Sequence, residues 1–116
     1  MHTINTGKFK INLDAVCAGV VNDSGVFMIY FVDGSSITLS PDNFEEVFKN
    51  NPDFIEFTEK VIINKKHILY VKNNFENKKP NKYKITIVVP KHEYYKAFMS
   101  TPEGYAQAKD LFTSLL

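Results

Sequence analysis

Residues 51–71 read NPDFIEFTEKVIINKKHILYV, and this stretch decides the fold class. Pro52 carries no amide donor and keeps Asn51 out of the α region, so a helix arriving from upstream ends here. Phe54, Ile55 and Phe57, then Val61, Ile62 and Ile63, make two short β-type runs separated by the polar Thr58-Glu59-Lys60. Asn64 halts the second run, because its side chain can bond the backbone two residues on and tolerates the left-handed region. Another strand is expected from His67 to Lys72.

Working toward the N-terminus, a short helix is expected from Ser40-Pro41-Asp42, with Ser as N-cap, Pro in the first turn and Phe44, Val47 and Phe48 facing inward. Before it, Asp33-Gly34 sits between two apolar runs and predicts a hairpin in which both residues take positive φ. Val26 to Val32 has no polar face and reads as a central strand covered on both sides. Val16 to Val21 is an apolar run ended by the turn formers Asn22-Asp23-Ser24-Gly25, and Phe9, Ile11 and Leu13 alternate with polar neighbours. Residues 1–8 read as a flexible end.

Toward the C-terminus, Asn73 to Lys82 is a long polar turn, and Tyr83 to Val89 alternates as the last strand. Lys91 to Met99 reads as a short helix carrying Tyr94, Tyr95 and Phe98. Thr101-Pro102-Glu103 repeats the N-cap pattern, and Tyr105, Ala108, Leu111, Phe112 and Leu115 predict an amphipathic helix to the end.

At 116 residues, with ten Phe and six Tyr, the chain can bury one core without cross-links. Cys17 has no cysteine to pair with, and no secretory signal or membrane-length apolar run is read, so a reducing cytoplasm is the expected setting. The net charge of +1 hides a lopsided distribution. Residues 1–59 hold three Lys against nine acids, whereas residues 60–96 hold ten Lys against two. All the basic residues are Lys, with no Arg to read guanine.

The spacing of Phe54, Ile62, Ile63, Asn64 and Ile68 resembles the signature of the LytTR family of bacterial DNA-binding domains. The order of elements from about Phe9 to Phe98 is similar to that family too. The resemblance implies a mainly β fold, with small antiparallel sheets side by side and two or three short helices. A β domain over 9–98 would be followed by a helical segment, 99–116, that packs on it or builds a homodimer. It also implies sequence-specific binding of double-stranded DNA, AT-rich DNA included, in transcription control. Carried over by position, the contacts fall on Glu56, Thr58, Glu59, Lys60 and Asn64, two of them acidic, and on the turn Pro90-Lys91-His92. With Lys65, Lys66 and Lys96 the basic residues among them would make a cationic rim, Thr58 reading a base edge and Asn64 serving the frame. These lysines could equally be an ordinary solvated face.

A second expectation, from another class, is a protein-interaction or self-association module that does not bind DNA. Its motive is the acidic first half and basic second half, together with an apolar surface from Tyr105, Leu111, Phe112 and Leu115. An enzyme is not expected. Cys17 lies in an apolar run, His2, His67 and His92 are scattered without metal-site spacing, and there is no Gly-rich phosphate loop. No cofactor, metal, membrane partner or small-molecule substrate is predicted.

Overall fold

The computed structural model describes residues 3–40 and 51–116. The protein is mainly β, built from small antiparallel sheets with a helix at its C-terminus. The chain divides into two compact units, Met1–His67 and Ile68–Leu116, where its length alone suggested one core. The division falls inside the 9–98 stretch and groups the C-terminal helix with the later strands.

In the first unit, β1 (Thr3–Asn5) and β2 (Lys10–Asn12) form a two-stranded hairpin. The reading of residues 1–8 as a flexible end is therefore corrected for Thr3–Asn5. Ile4 lies opposite Ile11 and both are buried, which holds the terminal segment against the core. Leu13–Ala15 is a 3-10 turn, its N-terminus capped by the Asn12 side chain accepting from the Asp14 N–H. The strand expected through Leu13 thus stops at Asn12.

A five-stranded sheet follows, in the order β5-β4-β3-β7-β6. Its strands are β3 (Val16–Val21), β4 (Phe27–Phe31), β5 (Ser36–Leu39), β6 (Phe54–Thr58) and β7 (Val61–Asn64). The central strand is β3 rather than β4. Val16, Cys17, Ala18 and Gly19 are all buried in it, whereas Met28 and Tyr30 of β4 are half-buried. Small residues suit that centre: a Cβ on Gly19 would lie 2.6 Å from Cε1 of Phe27, so its absence makes room for the ring. Phe27, Ile29, Val16, Ile62 and Phe54 pack with Ile4, Ile11 and Leu13 into one core.

The hairpin at Asp33-Gly34 is present, with different turn chemistry. Gly34 donates its N–H to the Phe31 carbonyl and takes φ +90°, while Asp33 is not at positive φ. Phe31 N–H then closes on the Ser35 carbonyl, so a single glycine in the left-handed region suffices. The helix expected over Pro41 to Asn50 lies outside the described residues.

The second unit is a three-stranded antiparallel sheet in the order β10-β9-β8, with one α-helix. Its elements are β8 (Tyr70–Asn73), β9 (Lys82–Val89), β10 (His92–Met99) and α1 (Pro102–Ser114). The helix read over Lys91 to Met99 is overturned: all eight residues of β10 pair in continuous register with β9, from His92 opposite Val89 to Met99 opposite Lys82. Tyr94 and Phe98 are compatible with either period. The two-residue Pro90-Lys91 turn, with Lys91 at φ +69°, folds the chain straight back and decides for the strand. Consequently β9 is not the last strand. His67, expected in a strand, instead ends a 3-10 turn, Lys65–His67.

The N-cap at Thr101 is as expected, its hydroxyl accepting from the Gly104 N–H at 3.0 Å with Pro102 beginning the helix. α1 lies on its own unit's sheet. Tyr105 and Phe112 meet the ring of Phe75 edge-on at 5.1 and 6.1 Å between centroids, and Tyr105 meets Tyr83 at 5.3 Å. Among the described residues α1 is the only α-helix.

Candidate nucleic-acid interface

The residues carried over from the central signature do not form one rim. In the first unit, Thr58 and Lys60 lie at the β6–β7 turn, where the Thr58 hydroxyl accepts from the Lys60 N–H. Lys65 and Lys66 lie beyond the other end of β7, roughly 16 Å of strand away at the usual rise per residue. Both ends are held by carboxylates. Lys60 Nζ is 2.5 Å from Asp23, and this hydrogen-bonded pair holds the Asp23 carboxyl below and the Lys60 ammonium above their ordinary ranges. Lys66 Nζ sits between Asp53 at 3.1 Å and Asp14 at 3.2 Å, and hydrogen bonds to both raise its pKa.

Asn64 is fully buried and belongs to the frame. Its Oδ1 accepts from the Lys66 N–H, the backbone two residues on, and its Nδ2 donates to the Val16 carbonyl at 2.9 Å. Beside it, His67 Nε2 is hydrogen-bonded to the Asp14 carbonyl. The signature letters Phe54, Ile62, Ile63 and Asn64 are therefore positions that packing dictates, at 4 %, 0 %, 0 % and 0 % exposure.

The remaining carried-over residues belong to the second unit. Lys91 is exposed at the β9–β10 turn, and His92 is half-buried with its ring stacked on Tyr94. Lys96 is exposed opposite Ile85, on the side of the sheet that carries α1. Of the residues considered as an interaction surface, Leu111, Phe112 and Leu115 are half-buried and Tyr105 remains partly open.

The alternation of β9 separates the two faces of its sheet. Tyr83, Ile85, Ile87 and Val89 form one face, with the last three fully buried and Tyr83 against α1. Lys82, Lys84, Thr86 and Val88 form the other. Register brings Met99, Ala97, Tyr95 and Glu93 of β10, and Lys72 and Tyr70 of β8, onto that second face. It is open: Met99, Tyr95 and Tyr70 are 70 %, 59 % and 51 % exposed.

On this face three lysines stand among two tyrosines, with Glu93 as the acid. Lys84 Nζ lies 4.8 Å from the centre of the Tyr95 ring, an exposed cation–π contact of about 0.5–1 kcal/mol. Lys72 meets Glu93 at 3.5 Å, both half in water, so the pair is easily exchanged for another anion. At the end nearest Tyr70 a shallow depression is lined by Leu69, Tyr70, Val88, Val89, Lys91, His92 and Glu93.

Sequence reading missed Lys72, Lys82, Lys84, Tyr70 and Tyr95. The alternation of Lys82 and Lys84 against Tyr83, Ile85 and Ile87 was visible, but reading residues 91–99 as a helix removed the strand that supplies Tyr95. Among the described residues no cluster of His, Cys, Asp and Glu has the geometry of a metal site, and no helix is long and apolar enough to cross a membrane. No protein-family model, curated protein or solved structure matches this chain.

Proposed function

We propose that this protein binds nucleic acid through the open face of β8, β9 and β10. The observation that carries the reading is the convergence of Lys72, Lys82 and Lys84 on one uncovered face beside Tyr70 and Tyr95. Ammonium groups set among ring faces suit a polyanion that also carries flat bases, and each phosphate neutralised releases condensed counterions. The LytTR-like central stretch adds a sequence-level reason to expect DNA and a role in transcription control. In this reading its lysines hold the frame, and the phosphate contacts come from the later strands.

The alternative of a protein-binding or self-associating module draws on the acidic first half and basic second half and on the apolar side of the C-terminal helix. With Tyr105 and Phe112 packed on Phe75, that side has less to offer a partner. A mobility-shift titration of the full chain against duplex and single-stranded oligonucleotides, at low and moderate salt, tests the proposal. Binding that weakens steeply with salt is expected; no shift of any oligonucleotide at low salt would overturn it.

A further inference from the structure

We infer that the strand bound on this face is single, its bases stacking on Tyr70 and Tyr95 while Lys72, Lys82 and Lys84 follow the phosphates. The inference rests on the nucleic-acid reading above and narrows it to a substrate class. Tyr95 faces Thr86 and Lys72 across the sheet, and Tyr70 lies one side-chain row further along on the opposite outer strand. Ordinary strand spacing and rise put their Cα atoms roughly 12 Å apart, within reach of bases on one extended strand.

Three features favour a single strand over a duplex. Exposed tyrosine rings offer π-faces, which are useful only to bases not already stacked in a helix. A three-stranded face is broader than the helix or two-stranded ribbon that a major groove admits. The depression beside Tyr70, with Leu69, Val88 and Val89 as its apolar walls, Lys91 and His92 at its rim and Glu93 as its one acid, gives a splayed base a place to sit. The contact between Lys84 and Tyr95 does not block this. A stacked base is the stronger occupant of the ring, and the displaced ammonium is freed for phosphate.

The test is fluorescence anisotropy of the full chain with a labelled oligothymidylate of about 12 nucleotides, its oligouridylate counterpart, and a duplex of the same length. Single strands are expected to bind more tightly than the duplex, and the two single-strand arms tell DNA from RNA. Tyr95→Ala and Tyr70→Ala should each weaken single-strand binding about tenfold, and Tyr95→Phe should restore it, because stacking needs the ring and not the hydroxyl. Both rings are exposed, so circular dichroism should find the variants folded.

A duplex bound as tightly as the single strand, or tyrosine variants that bind like the parent while lysine variants do not, would overturn the stacking inference and leave the nucleic-acid reading standing. No binding in any arm would overturn both.

Discussion

The side-chain amide of Asn64 donates to the backbone carbonyl of Val16 at 2.9 Å, with both residues fully buried. The end of β7 is thereby tied to the start of β3, while the same side chain accepts from the Lys66 N–H. Replacing Asn64 with Ala would leave a buried carbonyl and an amide without their partner. The buried carbonyl costs about 1–3 kcal/mol when unpaired, while the part-buried Lys66 amide can turn to water, so a loss of about 1–3 kcal/mol is expected in urea unfolding. Asn64→Asp should be worse, since a carboxylate oxygen would face the Val16 carbonyl. A variant as stable as the parent would mean that water or another donor replaces the amide.

Gly104 reverses an ordinary rule. Exchanging Gly for Ala inside a helix normally stabilises by about 1 kcal/mol, but a Cβ here would lie 1.8 Å from the Met99 carbonyl oxygen, a backbone atom that cannot swing aside. Gly104→Ala is expected to destabilise by at least about 2 kcal/mol through displacement of α1 from the end of β10. Thermal melts compare it with Ala at an exposed glycine, Gly7, where only the positive φ is at stake.

Stability should decline toward alkaline pH in two stages. Burial raises the Cys17 thiol above its ordinary 9.0, and hydrogen bonds from Lys66 to Asp53 and Asp14 raise that ammonium above 10.5. In both cases the folded chain holds its proton more tightly than the unfolded one. Stability is therefore full below those ordinary values and is lost as pH rises through them to the raised ones. Urea midpoints from pH 7 upward should stay level on this account until about 9 and then fall. Cys17→Ala should remove the first part of the fall; an unchanged slope in that variant would contradict the assignment.

How much of this was legible in the sequence varies along the chain. The β6–β7 hairpin and the Asn64 bond to the backbone two residues on were readable, because apolar runs broken by short polar turns have one economical fold. So was the Thr101 cap, whose signal is local. β10 was not readable, since Tyr94 and Phe98 fit both periods and only pairing with β9 discriminates between them. The hairpin of Thr3–Asn5 escaped for a related reason: a three-residue strand has no period to detect and owes its place to Ile4 meeting Ile11. The open face depends on register between strands distant from any motif. Lysines linked by a sequence pattern, Lys60 and Lys66, are separated by the length of a strand and held by acids.

That contrast gives the most direct measurement of the account. Single-strand affinity would be followed between about 50 and 200 mM salt for three proteins: the parent, a Lys72→Gln, Lys82→Gln, Lys84→Gln variant, and a Lys60→Gln, Lys66→Gln variant. Three phosphate contacts correspond to a logarithmic salt slope near −2, a loss of roughly fifteen- to twentyfold over that range for the parent. The triple variant is expected to lose this affinity and its slope while the double variant keeps both. Retained binding in the triple variant, with loss in the double variant, would contradict that expectation.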